Sequence, residues 1–195
     1  MKLFGFTSFD ELLAYNCAPV LAGIKPANLL SLMPDDGEEI DAFLVQYNTQ
    51  FAEQGIVFRR LCACTKRVLV LVYNEEQLAQ ALHNPGYQAY LIAAGYEAGA
   101  SLEVYLHRLE QRLSTQKTFP HEIGVFLGYP LEDILGFVLN KGTGCKYSGY
   151  WKVYGDVPKA RSIFAAYEHF RDIILQKLAA GMSLKVAVAT LEGGN

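Results

Sequence analysis

Strand-like and helix-like segments interleave along these 195 residues, which predicts an α/β fold, with α+β as the alternative. The expected arrangement is one domain over residues 1–195, with helices packed on a mixed sheet of about five strands. Three observations carry this. Half of the residues are hydrophobic (51%), enough for a sizeable core. Val68–Tyr73 (VLVLVY) is apolar on both faces, as an interior strand should be. Several segments carry apolar stripes at helical spacing, the clearest being Ile40, Phe43, Leu44, Tyr47 and Phe51.

Taken in order, Ser8 and Glu11 have the spacing of a capping box, so a helix should open near Phe9 and end or kink at Pro19 and Gly23. Pro26–Leu32 reads as a short strand. Asp36 can cap the next helix, and Gly55 sits where a left-handed terminator belongs. Val57–Cys62 and Arg67–Tyr73 read as a hairpin. Short helices follow, over about Asn74–Leu82 and Tyr87–Ala94. Ser101 opens a stronger one, with Leu102, Tyr105, Leu106, Leu109 and Leu113 on one face. Glu122–Gly128 reads as a strand. Pro130 opens a short helix that Gly142 closes. Gly149–Tyr154 reads as the last strand. Asp156 caps a long helix to Gly181, and Leu184–Leu191 forms the last one.

Composition narrows the function. With 17 basic and 20 acidic residues the net charge is −3, which gives no drive toward nucleic acid or an anionic membrane. No apolar run approaches the about 20 residues of a bilayer span, and the start of the chain does not read as a signal peptide. Four scattered cysteines fit an intracellular chain with free thiols. No phosphate-cradling glycine loop, dinucleotide fingerprint, nucleophile elbow or HExxH pair is present. No set of zinc-ligand spacings is complete, so no metal site is expected.

Phe119–Asp156 mixes glycines, the only tryptophan, and reactive side chains more densely than any other segment. On a strand at Glu122–Gly128, one face would carry Glu122, Gly124, Phe126 and Gly128. The two glycines there would admit either a tightly packed helix or a ligand. On the last strand, Tyr150, Lys152 and Tyr154 would share a face, an anion-binding or simply solvated one. His121 is either a general base or a ligand-binding group, or it bonds a loop carbonyl. Cys145 lies between Lys141 and Lys146 and is the best candidate for a reactive thiol. Glu132 and Asp133 suit the first turn of a helix.

Three blocks, CAPVLAGIKPANLLSL (Cys17–Leu32), FPHEIGVFLGYPLEDILGFVLNKG (Phe119–Gly142) and GYWKVYGD (Gly149–Asp156), resemble an uncharacterised bacterial family known as a domain of unknown function. The similarity runs in order over nearly the whole chain. The resemblance implies a cytoplasmic protein of anaerobic bacteria, with relatives encoded near flavodoxin or iron-handling genes. It implies no established activity or cofactor. The resemblance also implies that many relatives carry one or two cysteines just before GYW, where this chain has Tyr147 and Ser148, with Cys145 nearby. The matching positions include Cys17, Lys25, Asn28, His121, Glu122, Asp133, Trp151, Lys152 and Tyr154.

Three functional expectations follow. The first is a small-molecule or cofactor-binding protein, linked to redox or iron metabolism. Its ligand would lie over Gly124 and Gly128 beside His121, Glu122, Tyr150, Lys152 and Tyr154, with Lys25 and Asn28 added by the resemblance. The second is an enzyme with Cys17 or Cys145 as nucleophile and His121 as base. The third is an adaptor whose aromatic surface binds a protein partner.

Overall fold

The computed structural model describes residues 6–33, 37–64, 67–115 and 118–191. The expected cap at Asp36 lies outside them. Within the described residues the chain forms two compact units, residues 1–76 with 167–195, and residues 77–166.

In the first unit, α1 (Phe9–Leu21) starts as expected, with the Ser8 hydroxyl accepting from the Glu11 amide at 3.2 Å. Pro19 is accommodated inside the helix, and the turn closes through Gly23 at φ +70°. β1 (Ala27–Leu32), β2 (Ile56–Cys64) and β3 (Arg67–Asn74) form one sheet in the order β1-β3-β2. Both ladders are antiparallel, with Leu30 opposite Val70 and Phe58 opposite Val72. β3 is the central strand, and Val68–Tyr73 is buried throughout, as its two-faced apolar pattern demands. α2 (Gly37–Phe51) lays Ile40, Phe43, Tyr47 and Phe51 into the core beside Phe58. Asp10 accepts from the Tyr47 hydroxyl at 2.5 Å and from the Leu184 amide at 3.1 Å. One carboxylate thereby ties α1 to α2 and to α9 (Leu184–Ala189).

The second unit is mainly helical. α3 (Glu75–Leu82) leads into it, followed by α4 (Pro85–Ala93), α5 (Leu102–Thr115), α6 (Ile123–Phe126) and α7 (Leu131–Leu139). A two-stranded antiparallel ladder, β4 (Tyr147–Ser148) with β5 (Lys152–Val153), precedes α8 (Val157–Ala179). The α/β class and the five strands stand; they divide between two small sheets.

Two elements differ from expectation. The expected strand Glu122–Gly128 is instead the helical turn α6 with its flanking turn residues. Ile123–Leu127 is buried on every side, so its burial pattern has no period and does not separate the two conformations. The turn is closed by Gly128 at φ +69°, whose amide bonds Val125 O at 3.0 Å while the Tyr129 amide bonds Gly124 O at 2.9 Å. The expected strand Gly149–Tyr154 is interrupted, because Gly149, Tyr150 and Trp151 make the turn of the β4–β5 hairpin.

Candidate functional site

The site lies within the second unit and is organised by Asp133, in the first turn of α7. Asp133 is 3% exposed and, among the described residues, its carboxylate forms no ion pair; three N–H groups satisfy it instead. Oδ2 accepts from Trp151 Nε1 at 2.7 Å, and Oδ1 from the amides of Tyr154 and Gly155 at 2.7 and 2.8 Å. The acid expected only to favour the helix dipole thus pins the β4–β5 hairpin onto α7.

Glycines allow that close fit. A Cβ at Gly136 would overlap the Tyr154 ring, one at Gly149 the Phe164 ring, and one at Gly155 the Glu132 carboxylate. With the hairpin held this close, Trp151 stands edge-on to Phe164, ring centres 4.4 Å apart, and leans on Tyr129 at 5.1 Å.

Between α6, α7 and the hairpin lies a cavity of about 300 Å³. Its walls are mostly aromatic and aliphatic: Phe119, Ile123, Tyr129, Ile134, Phe137 and Trp151. Gly124 gives the α6 side its shallow wall, since a Cβ there would stand 3.0 Å from Ile134. Asp133 touches the cavity with its oxygens already engaged. His121 and Lys152 complete the lining, both exposed. The His121 ring meets the Phe137 ring at 5.3 Å, and Lys152 Nζ lies 5.8 Å from the centre of that same ring. Lys152 Nζ also donates to Gly142 O at 2.6 Å.

Of the residues singled out in the sequence, the structure brings His121, Gly124, Asp133, Trp151 and Lys152 to this cavity. The others are held elsewhere. Glu122 is buried in an ion pair with Arg112, and it accepts from the Tyr96 hydroxyl at 3.3 Å. Arg112 also donates to Ala94 O at 2.7 Å, so this network ties α5 to α6. Burial and the Glu122 charge hold the Tyr96 phenol well above its ordinary pKa. Gly128 terminates α6. Tyr150 packs on Phe164 at 5.4 Å, and Tyr154 lies over Gly136. The predicted row of Tyr150, Lys152 and Tyr154 does not form: Tyr150 lies in the hairpin turn, and Tyr154 follows the end of β5 and packs against Gly136.

Cys145 is half-buried in the loop before β4 and is not part of the cavity lining. Cys17, Lys25 and Asn28 belong to the first unit. Burial pushes the Cys17 thiol up to about 12, so it is not a ready nucleophile near neutrality. Burial pulls Lys25 down to about 8, its ammonium 5.8 Å from the centre of the Tyr167 ring. Asn28 Oδ1 is buried with no hydrogen-bond partner among the described residues.

Sequence reasoning missed Phe119, Ile134 and Phe137 as lining residues. Asp133, Ile134 and Phe137 lie one and four residues apart on α7, a helical face that the spacing itself displays. Among the described residues no group of three His, Cys, Asp or Glu side chains could hold a metal ion, and no helix is long and apolar enough to cross a membrane. No curated protein and no solved structure matches the chain. Residues 13–187 match the family described as "Protein of unknown function (DUF3793)", and the chain belongs to that family.

Proposed function

We propose that this is a small-molecule-binding protein whose ligand occupies the cavity between α6, α7 and the β4–β5 hairpin. The observation that carries the reading is the cavity's make-up. Aromatic walls enclose a space at the lower end of the usual range for ligand sites, roughly 300–1,000 Å³. An apolar cavity of about 150 Å³ holds one benzene ring, so this one suits two fused rings. A planar ligand can lie against Phe137 and Trp151 without displacing the polar contacts of Asp133, which are all internal.

The redox or iron connection suggested by the sequence resemblance would enter through the ligand, since the described residues supply no metal-ligand cluster. A cytoplasmic location belongs to the same reading.

The test uses Trp151 as a built-in reporter, because it is the only tryptophan and forms part of the wall. The protein is titrated with flavins, haem, nucleotides and simple bicyclic aromatics, following tryptophan emission and thermal stability. A ligand at about 100 times its Kd should add about 2.7 kcal/mol of stability. Ile134→Phe, which fills the cavity, should remove the response. A panel that changes neither emission nor melting would overturn the reading.

A further inference from the structure

We infer that the ligand of this cavity is an aromatic carboxylate, its rings between Phe137 and Trp151 and its anionic group held at the mouth by Lys152 and His121. The inference rests on the binding reading above and adds the charge of the ligand. Polar capacity at the cavity is one-sided. Among the described residues Asp133 is the only acid in the lining, and its three partners leave it no role toward a ligand. Lys152 keeps two of its three N–H donors after bonding Gly142 O, and it has no carboxylate partner among the described residues. The His121 side chain makes no hydrogen bond among the described residues; its ring rests edge-on against Phe137. Both groups therefore converge on one aromatic ring with hydrogen-bonding positions to spare.

A cation and an imidazole at the rim of an apolar cavity match a ligand that is apolar along most of its length and singly charged at one end. A phosphate dianion would need more donors than this mouth presents. A cationic ligand would meet Lys152 with like charge and find no free acid in the lining.

The experiment compares naphthalene-2-carboxylate, its neutral carboxamide and the cationic 2-naphthylmethylamine by isothermal titration calorimetry on the full chain. The acid should bind at least about tenfold tighter than the amide, and the amine most weakly. Lys152→Met should lower the affinity for the acid about tenfold and leave the amide unchanged; His121→Gln should act in the same direction. Equal binding of acid and amide, or tighter binding of the amine, overturns the inference and leaves the cavity reading standing. A Lys152→Met loss shared equally by acid and amide does the same. Failure of all three compounds to bind removes both. Should the Lys152 variant not fold, the three-compound series on the unaltered protein decides the question alone.

Discussion

Trp151 is held by Asp133: the indole N–H reaches one carboxylate oxygen at 2.7 Å while the other oxygen takes the amides of Tyr154 and Gly155. A buried carboxylate is stable here because three N–H donors are aimed at it. Asp133→Asn keeps the shape but turns one acceptor into a donor, which must face an N–H on one side or the other. That leaves at least one buried donor unsatisfied and should cost about 2–3 kcal/mol in urea unfolding. The Trp151 emission maximum should shift red as the indole loosens. An Asn variant as stable as the parent, with unchanged emission, would falsify the clamp.

Gly136 sets two opposing effects against each other. In an exposed helix interior, Gly→Ala gains about 1 kcal/mol. Here the added methyl would overlap the Tyr154 ring, and overpacking of this kind costs about 1–3 kcal/mol. Overlap should win, so Gly136→Ala should destabilise by about 1–2 kcal/mol. In a Tyr154→Gly background the sign should reverse, because the overlapping Cβ and ring of residue 154 are both gone and only the propensity gain is left. A double-mutant cycle by chemical denaturation measures this, and additivity of the two changes would rule the packing argument out.

Much of the fold was legible because its signals were local. The interior strand at Val68–Tyr73 showed itself by being apolar on both faces, and α1 by the hydroxyl and carboxylate spacing of Ser8 and Glu11. α6 was not legible, because Ile123–Leu127 is buried all round and a short run of that kind suits either conformation. The site was legible in its unusual residues, His121, Gly124 and Lys152, and illegible in its walls. Phe119, Ile134 and Phe137 have the composition of ordinary core. They line a cavity because no side chain from a facing element fills the space, and no local pattern records a missing neighbour. The sequence pointed to Gly124 and Gly128 for close approach, whereas the tightest contacts fall at Gly136, Gly149 and Gly155, against Tyr154, Phe164 and Glu132.

The Arg112–Glu122 pair should be costly to break and cheap to remove. The Glu122 side chain is 5% exposed and the Arg112 side chain 19%. Arg112→Met strands a carboxylate in the interior with only the Tyr96 hydroxyl for company, and should lose about 3–5 kcal/mol. The double variant Arg112→Met, Glu122→Leu should recover most of that loss, because no buried charge is left behind. Urea midpoints of the two single variants and the double variant decide the matter. A double variant as unstable as the worse single one would show that packing, not charge, dominates this position.

Lys25 makes stability depend on pH in the alkaline range. Burial lowers its pKa from an ordinary 10.5 to about 8, with Cys17 opposing slightly. Between those values the unfolded chain binds more protons than the folded one, so stability should rise with pH through that window. The limit is about 3 kcal/mol, at about 1.4 kcal/mol for each pH unit. Cys17 has the opposite sign. Its folded thiol keeps the proton up to about 12, whereas the unfolded thiol loses it from an ordinary 9.0. Stability from that group therefore falls as pH climbs past about 9. The two together predict a rise between about pH 8 and 9, then a plateau. Lys25→Met should abolish the rise, and Cys17→Ala should carry it on toward about pH 10. There the buried phenols of Tyr47 and Tyr96, both held above their ordinary range, begin to oppose it. Urea midpoints across this range measure each slope, and a Lys25→Met protein that keeps the parental rise would show that the lysine is not its source.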